Sequence, residues 1–306
     1  MWTAPAQEST LAAMPLFAFS RSWYSILGIQ VAVASDIPDV LERVDETYIL
    51  FRQDPGVGEP ALVVQSWRLD AGGFLVCDSR GYQQHWPNAH EALLDTLERI
   101  VHGVLAGLQS QGVYAIHAGA MVYRDVALAI AGRSGQGKTT LVLGLLRRGL
   151  GFLSDEFAVA DADSQQILPY RRSVHVRPGT PALIPELRFL EHRPQLRLGG
   201  GIEWAVTPYD LDRVLPGCLA PAARLRYVIL LDGTPNPDAC PSITSVPAAL
   251  ATMELLRGTW GVSVDFAGGL TRISQLLSGA RCARLRVGAF EATLDCVLAW
   301  LEANYG

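Results

Sequence analysis

The chain has 306 residues, 49% hydrophobic and 18% charged, with a formal net charge of -5. This balance supports a substantial buried core and excludes a disordered chain. With no basic run in it, it also argues against a nucleic-acid binder, and no stretch approaches the roughly eighteen uninterrupted apolar residues of a membrane span.

Residues 1 to about 20 carry Pro5, Pro15 and small side chains, which predicts a loose arm. MWTAPAQESTLAAMPLFAFSRSW lacks a basic segment before its apolar part and makes a poor signal peptide. Ser25–Ala34 (SILGIQVAVA) reads as a strand and Ser35 to Pro38 as a turn. Thr47–Arg52, Ala61–Trp67, Phe74–Asp78 and Tyr82–Trp86 read as further strands, with the loop DPGVGEP between the first two. Together they predict a small N-terminal α+β region over residues 1–87, followed by a larger unit over 88–306. Asn88 with Glu91 forms a capping-box-like start to a helix whose period runs through Leu94, Leu97, Val101, Val104, Leu105 and Leu108 to about Gln109.

Val113–Tyr123 and Val126–Ala131 read as strands joined by Arg124 and Asp125, an antiparallel hairpin. The second strand delivers the chain to Gly132, Arg133, Ser134, Gly135, Gln136, Gly137, Lys138 and Thr139, which spell G-x-x-x-x-G-K-T. An amphipathic helix over Lys138–Arg148 follows, with Thr140 in its first turn and Gly149 as its stop. That order suits phosphate: a Cβ-free turn lets successive N–H groups face an anion at the positive end of a helix dipole. Residues 132–140 are therefore the candidate nucleotide-binding set, with Lys138 reaching the outer phosphates and the Thr139 hydroxyl on magnesium. Gly151–Ser154 is a short strand ending at Asp155 and Glu156, and Asp155 lies only seventeen positions beyond Lys138.

Downstream, Phe157–Ala160 and Gln166–Pro169 predict a hairpin, and Tyr170–Pro178 (YRRSVHVRP) carries Arg171, Arg172 and Arg177. Any of these three guanidinium groups suits a transferring phosphate, and a solvated edge is the plainer alternative. Gly179–Pro221, proline-dense and containing Gly199-Gly200-Gly201, is expected to be an irregular insertion with short elements. Arg226–Leu231 reads as a buried strand, Ala248–Leu256 and Thr271–Leu277 as helices, Cys282–Val287 as a strand and Phe290–Asn304 as a final helix. Cys77, Cys218, Cys240, Cys282 and Cys296 are odd in number and contain no C-x-x-C pair, which predicts buried, reduced thiols in a cytoplasmic protein. Asp125, Asp161 and His175 show no pattern that assigns them a role.

The upstream His117, hairpin, glycine-rich loop, single helix and strand ending in two acids together resemble the HPr kinase/phosphorylase-like family. The resemblance is specific from His117 to Asp161, diffuse beyond it and does not extend to residues 1–87. It implies an α/β fold, an HPr-kinase/PEP-carboxykinase-like P-loop fold with a mixed sheet, accompanied here by the N-terminal α+β region. By that resemblance ATP and Mg2+ are the cofactors, and Lys138 with the amides of Gly132–Gly137 holds the phosphates. Thr139 and Glu156 would be metal ligands, with Asp155 beside the same metal. Asp155 would be the base for the attacking hydroxyl, and His117 would lie near that centre.

Two departures set the chain apart. Glu156 stands where the regulators of this family have Asp, and no downstream segment matches their Gly- and Arg-rich signature. The chain looks more like the HPr-kinase-related enzymes of peptide-modification clusters, including lasso-peptide kinases. The implied activity is transfer of phosphoryl to a hydroxyl, a Ser of a peptide or small protein, by a protein that forms homo-oligomers. A nucleotide-gated ATPase or binding module and a small-molecule kinase are the alternative expectations.

Overall fold

A computed structural model describes residues 20–55, 59–198, 201–262 and 265–305. The expectations for the arm over residues 1–19, for the middle of the loop at 56–58 and for Gly199 and Gly200 fall outside those residues.

The N-terminal region opens with β1 (Ser20–Ile26) and β2 (Ile29–Ser35), paired antiparallel. A single strand over Ser25–Ala34 was the expectation. The chain instead reverses at Leu27 and Gly28, whose φ angles of 50° and 88° are those of a two-residue hairpin turn. The turn expected at Ser35–Pro38 leads into α1 (Pro38–Thr47), and a 3-10 turn over Ile49–Phe51 takes most of the strand expected at Thr47–Arg52. Proline at the start of α1 and buried Val40, Val44 and Thr47 supply the helical logic. Only β3 (Arg52–Gln53) is extended there, alongside β1.

β4 (Leu62–Arg68), β5 (Phe74–Asp78) and β6 (Gln83–Trp86) complete a six-stranded sheet of order β3-β1-β2-β4-β5-β6. α2 (Ala89–Ser110) starts where the Asn88 side chain accepts the Glu91 N–H at 3.0 Å. Its Ile100, Val104, Leu105 and Leu108 are buried with Tyr24, Val31, Val33, Leu62 and Val64. Ala115, Val159 and Tyr170, from further along the chain, join the same cluster, so this core is continuous with the second sheet.

The strand expected over Val113–Tyr123 is two strands, β7 (Val113–Ile116) and β8 (Ala118–Tyr123). The break is at His117, whose N–H leaves the ladder to donate to the Gly258 carbonyl at 2.7 Å. β8 then forms the anticipated hairpin with β9 (Val126–Ala131). After the glycine-rich loop comes α3 (Lys138–Arg147), then β10 (Gly151–Ser154), β11 (Ala158–Asp161) and β12 (Gln166–Leu168). α3 is more than amphipathic: Leu141 to Leu146 are all buried, as in a helix packed on several sides.

β13 (Val174–Val176), α4 (Thr180–Leu183), a 3-10 segment (Pro185–His192), β14 (Leu196–Leu198), β15 (Gly201–Val206) and α5 (Pro208–Val214) follow. The expected irregular insertion thus carries order of its own, a three-stranded sheet β13-β15-β14. β16 (Ala223–Asp232) is the central strand, parallel to β9 on one side. On the other side it pairs with β12 at its start and, in parallel, with β18 further on.

β17 (Ser242–Ser245), α6 (Ala248–Leu256), α7 (Phe266–Leu276), β18 (Arg281–Arg286) and α8 (Phe290–Asn304) close the chain. β17 escaped the sequence reading because SITS buries no side chain. α7 begins five residues before Thr271, at an Asp265 cap that accepts the Gly268 N–H, and its glycines hide that start. The result is a mixed α/β architecture with a mixed nine-stranded second sheet. Cys218 and Cys282 are buried and Cys77 and Cys296 partly so, but Cys240 is exposed, against the expectation of burial. Among the described residues no helix is long and apolar enough to cross a membrane.

Candidate active site

The parallel strands β9 and β16 end side by side, and the loop of residues 132–137 leaves the carboxyl end of β9, where ligands gather in α/β sheets. Gly135 and Gly137 take φ of 85° and 82°, turning the loop back so that α3 begins at Lys138. The Gln136 side chain holds the loop shut. Its Oε1 accepts the Arg133 N–H at 2.5 Å, and its Nε2 donates to the Gly233 carbonyl, just past β16, at 3.1 Å. Gly132 packs against Leu231.

A cavity of about 530 Å³ opens over this loop. Of the residues singled out from the sequence, Arg133, Ser134, Gly135, Gly137, Lys138, Thr139 and Thr140 line it, together with His117, Asp155 and Glu156. Gly132 and Gln136 do not; they buttress the loop from behind. Lys138 Nζ donates to His117 Nε2 at 2.7 Å. Burial and the Lys138 charge hold His117 below its ordinary value, so its neutral ring is the acceptor in that bond. Burial also lowers Lys138, against the pull of Asp155 and Glu156.

Asp155 follows β10 directly and turns into the cavity, where its Oδ2 accepts the Thr139 hydroxyl at 3.1 Å. Its Oδ1 is buried with no hydrogen-bond partner. Burial pushes this carboxyl from 3.8 up to about 7, with Glu156 adding to the rise and Lys138 opposing it. Glu156 behaves oppositely. Burial raises it, but Arg172, His175, His117 and Lys138 outweigh that effect and hold it below the usual carboxylate range. Two adjacent carboxyls are thus shifted in opposite directions by their surroundings.

The three candidate arginines separate cleanly. Arg171 is spent on the Ala220 carbonyl. Arg177 lies at the rim and pairs with Glu203 at 3.2 Å. Arg172 is 12% exposed, lines the cavity and pairs with Glu156.

Sequence reasoning missed the far wall of the cavity, formed by Tyr170, Ser173, His175, Thr180 and Glu203. His175 of β13 and its flanking residues Ser173 and Arg177 line the cavity, while the intervening Val174 and Val176 are in the core. The alternation of SVHVR was the available signal for this wall.

The residues present fit a hard divalent cation such as Mg2+. The Thr139 hydroxyl, the unpartnered Asp155 Oδ1 and the Glu156 carboxylate supply oxygen donors on one side of the cavity. Among the described residues no cluster of three or more His, Cys, Asp or Glu forms a ready-made metal cage. Magnesium ordinarily dispenses with one, being held by one or two carboxylates and the substrate phosphates.

No protein-family model matches the chain. No curated protein matches it either. Among solved structures it is similar to the Hpr(Ser) kinase/phosphatase from Coxiella burnetii, at 13% sequence identity and a TM-score of 0.32, over 63% of this chain and 99% of that one. The likeness is distant, and the site's own geometry has to carry the functional reading.

Proposed function

We propose that the chain is an ATP- and Mg2+-dependent kinase that transfers the terminal phosphoryl group to a hydroxyl, a Ser of a peptide or small protein. One observation carries the proposal: Lys138, Thr139 and Asp155 converge on a single cavity at the mouth of the glycine-rich loop. The loop amides and Lys138 would hold the β- and γ-phosphates. Thr139, Asp155 and Glu156 would hold Mg2+, which when bound neutralises charge developing on the phosphate oxygens.

The acceptor hydroxyl oxygen attacks the γ-phosphorus as its proton passes to the Asp155 carboxylate. A new O–P bond forms, the bond to the β,γ-bridging oxygen breaks, and ADP leaves with that electron pair. The buried Asp155 Oδ1, which has no hydrogen-bond partner, is the atom placed to take that proton. His117 holds Lys138 in place as a neutral acceptor.

The test is transfer from labelled ATP to candidate peptides by wild type and Asp155→Asn, with the product weighed by mass spectrometry. Phosphorylated peptide from wild type alone supports the proposal. Equal transfer by the two proteins would remove Asp155 from its role, and ATP hydrolysis with no phosphorylated product would favour a nucleotide-gated module.

A further inference from the structure

The N-terminal region packs behind the cavity wall at the segment around Arg172. The segment Arg171–Ser173 lies against the carboxyl end of α1, where the Ser173 N–H donates to the Thr47 carbonyl at 3.0 Å. The Ser173 hydroxyl donates to the Glu46 carbonyl at 2.6 Å. Between these anchors and the cavity sits Arg172. Its guanidinium lies 5.8 Å from the ring centre of Tyr48 and 5.6 Å from that of Tyr170. Its Nη1 makes a long 3.5 Å hydrogen bond to the Tyr48 hydroxyl. Both rings are fully buried, so the side chain is walled on both flanks and free only towards Glu156 and the cavity.

Resting on the kinase reading above, we propose that Arg172 contacts the transferring phosphoryl group. α1, through Glu46, Thr47 and Tyr48, is the element that positions it, making the N-terminal region part of the phosphoryl-transfer site. The geometry favours this over an ion pair with only a stabilising role. A pair between a buried guanidinium and a half-exposed carboxylate adds little net stability, and this one has its anionic member beside Asp155 in the cavity. A planar guanidinium held in a water-poor cleft matches the equatorial oxygens of a transferring phosphoryl group, and acts there without first having to reorganise. Arg172 pairs with Glu156. Once Glu156 turns to a cation, the guanidinium is left beside the terminal phosphate. Arg171 and Arg177 have other partners and do not compete for the position.

The experiment uses the full chain and three probes: Mg-ADP, Mg-ADP with tetrafluoroaluminate as a mimic of the transferring group, and turnover of Mg-ATP with water as acceptor. For Arg172→Gln the expected result is unchanged Mg-ADP affinity, with tetrafluoroaluminate-complex affinity and kcat each down about 100-fold. Arg172→Lys keeps the charge of the pair with Glu156 and guards against a folding defect, and it should fall at least about tenfold in the same two readouts. Tyr48→Leu, which touches no substrate, should lower kcat while leaving the KM for Mg-ATP alone. A merely structural role would instead lower the melting temperature and weaken all three probes together. If both Arg172 variants bind the tetrafluoroaluminate complex as tightly as wild type, the arginine assignment falls. If wild type itself fails to bind Mg-ADP, the kinase reading falls first.

Discussion

Replacing Asp155 by Asn should stabilise the nucleotide-free protein while abolishing transfer, because the group proposed as the base is held at a cost to the fold. Folding moves its carboxyl from 3.8 to about 7, and at 1.36 kcal/mol per tenfold change this amounts to roughly 4 kcal/mol. Below the unfolded value both states are protonated and the penalty is absent. As pH rises, the unfolded chain releases its proton first, so stability falls from about pH 4 until the folded carboxyl also ionises near 7. Asn has the same shape and never pays the ionisation cost. The variant should lead wild type by roughly 1.5 kcal/mol at pH 5 and by roughly 4 kcal/mol at pH 8. At about 2 °C per kcal/mol for a chain of this size, the pH 8 gap is roughly 5–10 °C in Tm. Thermal unfolding of both proteins across pH 5 to 8, without nucleotide, reads this directly. A gap that does not widen with pH, or a variant less stable than wild type at pH 8, refutes the claim that Asp155 is a desolvated carboxyl at the heart of the cavity.

Other outcomes are as definite. Lys138→Met should lower Mg-ATP affinity about 100-fold by calorimetry while the nucleotide-free protein melts near the wild-type temperature, since Nζ is a half-buried cation bonded to His117. Gly119→Val would place a Cβ 2.5 Å from Val142 Cγ2, pushing α3 off β8. A loss of about 1–3 kcal/mol in urea unfolding, together with weakened nucleotide binding, is expected. Asn88→Ala removes the side chain that accepts the Glu91 N–H and should cost about 1 kcal/mol in the same assay, with transfer unchanged.

The site residues close in sequence were legible before any coordinates, because local chemistry dictates them. Gly132 to Thr140 announce a turn, a helix start and a phosphate cradle, and Asp155 follows one helix and one short strand later. The cap at Asn88 and the helices at 248–256 and 290–304 were equally plain, since capping and periodicity act over a few residues. Where tertiary contacts outvote local preference, the sequence misled. Thr47 looked extended through its β-branched side chain, yet it ends α1 because Val40 and Val44 have a core to fill. His117 sat within an apolar run whose break depends on a carbonyl 141 positions away, at Gly258.

Three arginines of one short segment, Arg171, Arg172 and Arg177, had equal claims. Only the fold sent the first to Ala220, the last to Glu203 and the middle one, between two tyrosine rings, to the cavity. A loop and its helix are local, so the candidate phosphate site could be read from the sequence; which distant cation meets it is decided by how α1 and β13 pack.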